Sequence, residues 1–309
     1  MRHLLRSGLQ GLPALLLLAA VAGAATNAVN PAPPPKPSVS FAEILKTSKP
    51  EEWRRPDPAN TLYMDLGSGR VVIELAPQFT PLHAANIRTL AHGNYFDGLT
   101  IYRVQDNYVT QWGDADGKRP LPIASKLAPE YTLSPIGAIN FTKLPDGDVY
   151  APEAGFVDGF PAARDPATKT AWLVHCYGMV GAGRDLDDET GPGAELYAVN
   201  GSPTRHMDRN LALIGRVLQG MNLLSSLPRG TGDGLGMYEQ VDERVPILEV
   251  RLAADLPEAE RLKLEVMRTD SPSFRAIIEW RRNRHDDFYK VPAGHVDVCN
   301  IPVPVRTVP

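Results

Sequence analysis

The feature that most constrains the fold is a succession of short segments with the residue pattern of β-strands. The first two form a hairpin: apolar and polar residues alternate over 61–66, Gly67-Ser68-Gly69 turns the chain, and an apolar run follows to Leu75. Further strand patterns lie at 99–104, 108–111, 172–179, 195–199, 211–217 and 247–253. Two helical patterns interrupt this series, at 80–93 and 221–227, and the Thr80 hydroxyl is the expected N-cap of the first. The series predicts a mainly β protein, folded as a closed antiparallel β-barrel capped by two helices.

Two stretches depart from this pattern. Residues 115–170 are rich in Gly, Pro, Asp and Lys, and we expect mainly a surface excursion there, with room for one short strand at 136–141. Residues 254–309 form a C-terminal extension, partly helical. Asp255 and Ser271 have the character of N-caps for two helices, and the second helix carries Phe274, Ile277 and Ile278 on one side.

The N-terminus has the pattern of a secretory signal peptide. Arg2 and Arg6 precede an apolar stretch at 12–21, and Ala22-Gly23-Ala24 supplies the small residues of a cleavage site. The apolar stretch is far shorter than the ~20 residues that a membrane span needs. We therefore expect residues 1–24 to direct export to the periplasm, with no stable membrane insertion after cleavage. Residues 25–59 follow as a Pro-rich linker and N-terminal segment.

Composition excludes several classes of function. The chain has 309 residues, 43% hydrophobic and 22% charged, which is typical of a folded soluble protein. A formal charge of −4 with no basic stripe argues against a nucleic-acid partner. No zinc, calcium, phosphate-binding or nucleophile-elbow motif is present, so we expect no metal and no cofactor. Cys176 and Cys299 allow one disulfide, although a cysteine in a strand is more often simply buried.

The most informative segment is Ile101-Tyr102-Arg103-Val104 followed by Tyr108-Val109-Thr110-Gln111-Trp112-Gly113-Asp114. Four other segments accompany it in order: the strand at 69–75, the Thr80-Pro81 helix with Asn86, the Gly-Asn-Tyr-Phe-Asp-Gly turn at 93–98, and Gly215-Arg216-Val217 with Gly220-Met221. In this order and spacing the chain resembles the cyclophilin family of peptidyl-prolyl cis-trans isomerases. The resemblance covers residues 60–253 and implies a cyclophilin-like barrel for that span.

The resemblance also implies a set of site residues. Arg103 matches the family's catalytic arginine, and Gln111 matches an amide that holds the substrate, so both are predicted to be catalytic residues. Gly181 falls near the segment whose backbone holds the substrate, and Tyr197 falls on the aromatic floor of the proline pocket. The predicted substrate-binding residues are Tyr108, Val109, Gly181, Tyr197, His206, Met207 and Leu211.

Four positions depart from the family pattern. Glu195 stands where glutamine is usual, Leu196 where phenylalanine is usual, His206 near a usual tryptophan, and Leu211 in place of a histidine. Two functions therefore stay open: an isomerase acting on X-Pro bonds of exported proteins, or a catalytically weak peptide-binding or chaperone module of the cell envelope. A third hypothesis is an envelope assembly protein that uses the tail helix.

The chemistry of the reaction suits an arginine. Rotation about an X-Pro amide meets a barrier of ~18–20 kcal/mol, because planarity carries the resonance of the C–N bond. The nitrogen regains its lone pair in the twisted state, and a guanidinium N–H from Arg103 would stabilise it there. The partners implied are proline-containing polypeptides. Since neither Arg103 nor Gln111 titrates near neutrality, we expect a rate that varies little between pH 6 and 8. The sequence leaves the clients and the oligomeric state open.

Overall fold

The computed structural model describes residues 39–308 except Ala138, Pro203 and Asp233, so the predicted signal peptide and most of the Pro-rich linker lie outside the described residues. The helices are α1 (Phe41–Thr47), α2 (Pro81–His92), α3 (Met221–Ser225) and α4 (Pro272–Asn283). The strands are, in chain order, β1 (Trp53–Arg54), β2 (Thr61–Leu66), β3 (Gly69–Leu75), β4 (Thr100–Val104), β5 (Val109–Gly113), β6 (Phe141–Lys143), β7 (Glu153–Val157), β8 (Phe160–Asp165), β9 (Thr170–Leu173), β10 (Met179–Ala182), β11 (Leu196–Val199), β12 (Leu213–Gln219), β13 (Val245–Leu252), β14 (Leu264–Met267) and β15 (Val305–Thr307).

Eight of these strands close into a barrel. Their order around the barrel is β10-β11-β5-β4-β13-β2-β3-β12, and β12 pairs back with β10. Every neighbouring pair is antiparallel, so the predicted closed antiparallel barrel is confirmed. One apolar core fills the barrel and extends under α2, which buries Ala84, Ile87 and Leu90 against it. Closure leaves the barrel without free sheet edges.

Helix α2 begins at Pro81 as predicted, but the expected Thr80 hydroxyl cap is wrong. The Thr80 side chain makes no cap hydrogen bond. Instead, the backbone N–H groups of Leu82 and His83 donate to the Glu130 carboxylate, at 3.0 and 2.9 Å. A carboxylate also complements the positive end of the helix dipole, which a hydroxyl does not. The cap therefore comes from a loop nearly fifty residues away in sequence.

The expected surface excursion at 115–170 is wrong from residue 141 onward. Strands β6, β7, β8 and β9 form a separate four-stranded antiparallel sheet. Four of its buried positions are alanine, which has a low strand propensity: Ala154, Ala162, Ala163 and Ala171. They weaken the strand signal of the buried Phe156, Val157 and Phe160 that lie among them. The predicted strand at 172–179 is likewise divided between β9 of this sheet and β10 of the barrel.

The tail belongs to the same folded body as residues 39–59. Strand β14 pairs on one side with β1 and on the other with β15. Ser271 caps α4 as predicted, accepting from the Phe274 N–H at 3.1 Å, and Phe274, Ile277 and Ile278 are buried. The α-helix predicted at Asp255 is wrong: Asp255 ends one 3-10 turn, and a second 3-10 turn at Glu258–Glu260 precedes β14.

A disulfide joins Cys176, just before β10, to Cys299 in the tail. Of the two outcomes open from the sequence, the structure therefore has the disulfide. The bond links the end of the four-stranded sheet to the C-terminal extension, across 123 residues of sequence. Within the described part of the chain, the longest apolar helices fall short of what a membrane crossing requires.

Candidate functional site

Arg103 and Gln111 lie directly opposite each other on the paired strands β4 and β5. Arg103 Nη1 donates to Gln111 Oε1 at 3.1 Å, and Nε donates to the Leu235 carbonyl at 2.7 Å. Nη2 donates to Gln105 Oε1. These three bonds fix the plane of the guanidinium. Because a guanidinium carries five N–H groups, two have no partner among the described residues and are available to a ligand.

The surroundings of Arg103 preserve its charge. Partial burial lowers the pKa of Arg103 from its ordinary value, but an arginine stays protonated throughout the neutral range. Its Cζ atom lies 5.5 Å from the centre of the Tyr108 ring, within range of a cation–π contact. A permanent cation is thus held half-buried beside an aromatic wall.

The Leu235 carbonyl reaches Arg103 because of the glycine-rich turn that contains it. Gly236 has φ +73°, and a Cβ atom at that position would collide with the backbone of Gln105. The contribution of the turn to Arg103 has no motif, and it emerges only from the packing of the turn on β4.

An apolar floor adjoins the guanidinium, formed by Val109, Tyr197 and Met207. Their exposed fractions are 3%, 4% and 4%. The Tyr108 hydroxyl contacts Met207 Sδ at 3.0 Å, so the Tyr108 side chain spans the floor. Little of the floor is accessible in this conformation.

Two predicted residues lie at the edges of this floor. His206 is exposed, and its ring is nearly parallel to that of Tyr108, with 6.3 Å between the ring centres. Leu211 is half-buried and lines a neighbouring open cleft together with Arg184 and Asn210. His206 therefore flanks the aromatic wall, whereas Leu211 faces the next cleft along the surface.

Gly181 is placed differently from the expectation. It lies buried on β10, paired with Tyr197 of β11, and a Cβ atom there would collide with the Tyr197 hydroxyl. Its role is to make room for the ring of Tyr197. Gly183, two residues on, approaches the side-chain nitrogen of Gln111, and a Cβ there would lie 3.2 Å from it. The glycine beside the predicted catalytic pair is therefore Gly183.

The hydroxyl of Tyr197 is hydrogen-bonded to a buried histidine, His175. His175 Nε2 lies 2.9 Å from the Tyr197 hydroxyl, and His175 Nδ1 lies 2.9 Å from Asp208 Oδ1. Burial lowers the pKa of His175 and raises the pKa of Tyr197, so both side chains stay neutral. Since the Asp208 carboxylate can only accept, Nδ1 carries the proton and Nε2 accepts from Tyr197.

The turn that carries His206 and Met207 is tied to the second sheet by a buried ion-pair network. Arg205 donates from both Nη atoms to the Asp148 carboxylate at 2.9 Å, and from Nε to Asp208 Oδ2 at 2.7 Å. All three side chains are at least nine-tenths buried. The loop between β6 and β7, which carries Asp148, thus supports the wall of the site. Sequence reasoning missed this network.

Glu195 completes the site beneath Gln111. Gln111 Nε2 donates to the Tyr102 hydroxyl at 2.5 Å, and that hydroxyl donates to Glu195 Oε2 at 2.8 Å. Burial raises the pKa of Glu195 to about 7. Across the described residues, His, Cys, Asp and Glu side chains nowhere gather in threes as a metal site would require.

The closed barrel, with a fixed guanidinium beside an aromatic and apolar floor, defines a domain of the cyclophilin class. A sequence profile of the family "Cyclophilin type peptidyl-prolyl cis-trans isomerase/CLD" matches residues 61–252, and the chain belongs to that family.

Individual relatives agree with this assignment. A probable peptidyl-prolyl cis-trans isomerase of Brucella suis is 36% identical over 58 residues, 19% of this chain and only 30% of that relative. The human peptidyl-prolyl cis-trans isomerase-like 1 is 22% identical over 208 residues, 67% of this chain and 96% of that protein. The crystal structure of cyclophilin AquaCyp293 from Hirschia baltica is 25% identical, with a TM-score of 0.69, and covers 87% of this chain and 98% of that one. The structural likeness therefore extends beyond the barrel.

Proposed function

We propose that this protein catalyses cis–trans isomerisation of X-Pro bonds in exported proteins, with Arg103 as the donor to the prolyl nitrogen. The observation that carries the proposal is that the guanidinium of Arg103 is held in a fixed plane and still has donors unpaired within the described part of the chain. Three acceptors fix its plane, and two N–H groups have no partner among the described residues. A donor fixed before the substrate arrives needs no reorganisation when the peptide bond twists.

Selectivity for the twisted bond follows from where its charge lies. In a planar amide the nitrogen lone pair is delocalised into the carbonyl, and the nitrogen accepts no hydrogen bond. In the twisted amide the lone pair returns to the nitrogen, which then accepts a hydrogen bond from Arg103. Because each ~1.4 kcal/mol of preferential binding gives a tenfold rate gain, a thousandfold acceleration needs about 4 kcal/mol. One preorganised donor aimed at the charge that develops in the transition state contributes about 3–4 kcal/mol.

The other residues of the site hold the substrate. Tyr108, Val109 and Met207 offer apolar contact to the prolyl ring, leaving the preceding carbonyl free to swing. Gln111 lies within 3.1 Å of the guanidinium and is placed to hold a substrate carbonyl in register. Bond rotation breaks no covalent bond, so these residues account for the reaction without a nucleophile or cofactor.

Two observations support export to the periplasm. The sequence of residues 1–24 has the pattern of a secretory signal peptide. The Cys176–Cys299 disulfide is of the kind that persists in oxidising compartments and is rare in the cytosol. The substrates would then be proteins that fold after export.

The closed floor favours a second candidate function, the catalytically weak peptide-binding module. Tyr108 spans the floor, and His206 and Leu211 replace residues that the family resemblance leads one to expect. If turning Tyr108 aside costs much of the binding energy, the site would hold proline peptides but turn them over slowly.

A direct assay separates the two functions. Uncatalysed relaxation of a short X-Pro peptide takes tens of seconds, and an isomerase at micromolar concentration shortens it. We expect the purified protein to accelerate this relaxation in proportion to its concentration. Saturable peptide binding, measured by calorimetry, without any acceleration would support the weak binding module instead.

A further inference from the structure

Glu195 is half-buried, its carboxyl group has a constrained position beneath the site, and the proposed mechanism does not use it. Its carboxylate occupies the space beside Gly113, where a Cβ atom would collide with both carboxylate oxygens. Gly113 has φ +153°, a conformation that favours glycine. The chain therefore keeps a glycine in β5 at the one place where it allows the Glu195 side chain to fold under Gln111.

A continuous chain of hydrogen bonds connects Glu195 to Arg103. Arg103 Nη1 donates to Gln111 Oε1 at 3.1 Å, Gln111 Nε2 donates to the Tyr102 hydroxyl at 2.5 Å, and that hydroxyl donates to Glu195 Oε2 at 2.8 Å. All three links run in the same direction, from the cation to the carboxylate.

The carboxylate fixes this direction. An ionised carboxylate only accepts, and Tyr102 has a single proton, so Tyr102 must donate to Glu195 and accept from Gln111. The amide nitrogen of Gln111 then faces Tyr102, and its oxygen faces Arg103. Every donor in the chain finds an acceptor.

Protonation of Glu195 removes this constraint. The carboxylic acid can donate to the Tyr102 oxygen, and Tyr102 then turns its proton toward Gln111. The amide of Gln111 then has both orientations open to it, and the flipped orientation presents its NH₂ group to the N–H groups of Arg103. Two donors facing each other cannot bond, so Arg103 loses one of the three acceptors that hold it.

We propose that Glu195 is a positioning residue, whose ionised form orients Gln111 through Tyr102 and thereby holds Arg103 in place for isomerisation. The inference deepens the proposed function and rests on it. It also replaces the expectation of a flat rate between pH 6 and 8, which considered only Arg103 and Gln111.

The charged surroundings set the pH range in which this occurs. Burial is the largest influence and raises the pKa of Glu195 to about 7, with further upward contributions from the nearby carboxylates. Hydrogen bonds from the Tyr102 hydroxyl and the Asp114 backbone act in the opposite direction. The titratable and charged groups around Glu195 are Tyr102 and Arg103 on β4, Asp114 after β5, Asp185 after β10, and Tyr95 after α2.

The first test is the pH profile of kcat/KM for an X-Pro peptide between pH 5.5 and 8.5. Because an essential ionised group appears as a sigmoid in kcat/KM, we expect the rate to rise roughly threefold or more with pH, with a midpoint near 7. Glu195→Gln keeps the size of the side chain and cannot ionise, so its profile should be flat. His206→Gln removes the exposed histidine beside Tyr108 and should keep the sigmoid. A sigmoid that survives in Glu195→Gln, or one that disappears in His206→Gln, would overturn the proposal.

The second test does not depend on turnover. The side-chain amide signals of Gln111, assigned by ¹⁵N NMR with Gln111→Glu as the assignment variant, should shift with pH in the wild type and stay constant in Glu195→Gln. Amide signals that are constant in the wild type would overturn the positioning role, even in an active enzyme. Shifting signals in a protein without isomerase activity would support the coupling and reject only the proposed function.

Discussion

Breaking the disulfide tests how far the tail stabilises the whole body. Cys299→Ser removes the bond that closes a loop of 123 residues. The unfolded chain then gains conformational entropy, because the two ends of that loop are no longer joined. In the chain-entropy description, closing a loop of that length removes about 16 cal/mol/K from the unfolded state, or about 5 kcal/mol at 25 °C. We therefore expect a loss of about 3–5 kcal/mol, since residual structure in the unfolded chain reduces the effect. A loss of this size lowers Tm by roughly 10 °C for a chain of this length.

The assay is urea unfolding of the oxidised wild type, the reduced wild type and oxidised Cys299→Ser. Cys299 is only half-buried, so the substitution adds little cavity cost, and the buried Cys176 is kept. Reduced wild type and Cys299→Ser should lose the same free energy of unfolding within error. Alkylation and intact mass confirm the thiol state. A loss below about 1 kcal/mol in both would refute the reasoning from the unfolded chain.

Three further predictions concern the site. Asp148→Asn deprives the buried Arg205 of an ionised partner, so it should lower the free energy of unfolding by about 3 kcal/mol and raise KM. Both can be measured on one preparation. An unchanged unfolding midpoint would contradict the role of this ion pair in supporting the site. Tyr108→Phe removes the contact with Met207 Sδ, a weak acceptor, and should lower KM for an X-Pro peptide by about two- to threefold; a higher KM would show that the hydroxyl binds substrate. Glu195 has a folded pKa of about 7 against an ordinary 4.5, so the folded state binds a proton that the unfolded chain releases between these values. Wild-type stability should therefore fall as pH rises through that window, by at most roughly 3 kcal/mol, and urea midpoints of Glu195→Gln should lack this fall.

Local patterning was enough to predict the barrel. Alternation over 61–66, the glycine turn and the helix signals at 80–93 all appear as expected, because each depends on residues close together in sequence. The four-stranded sheet was not predicted because alanines at four of its buried positions weaken the strand signal of the aromatic and branched residues beside them. The cap on α2 was not predicted, because Glu130 lies far in sequence from the helix that it caps.

The same distinction between nearby and distant residues applies to the site. Arg103, Tyr108 and Gln111 are brought together as the resemblance implied, since they lie on one pair of adjacent strands. The residues that hold them were not predictable from spacing. Asp148 and Arg205 are 57 positions apart, and the Leu235 carbonyl reaches Arg103 across 132 positions. Such contacts depend on how the loops pack on the finished barrel.

The central claim is tested most directly by kcat/KM for an X-Pro peptide after substitution of Arg103. Arg103→Lys keeps the charge but loses the planar set of donors, and Arg103→Ala loses both, so we expect each to lower kcat/KM at least about tenfold, or 1.4 kcal/mol. Arg88→Ala is the matched control, because that arginine bonds to Asn60 away from the site and its removal should leave the rate unchanged. Wild-type turnover in a folded Arg103→Ala variant would contradict the account.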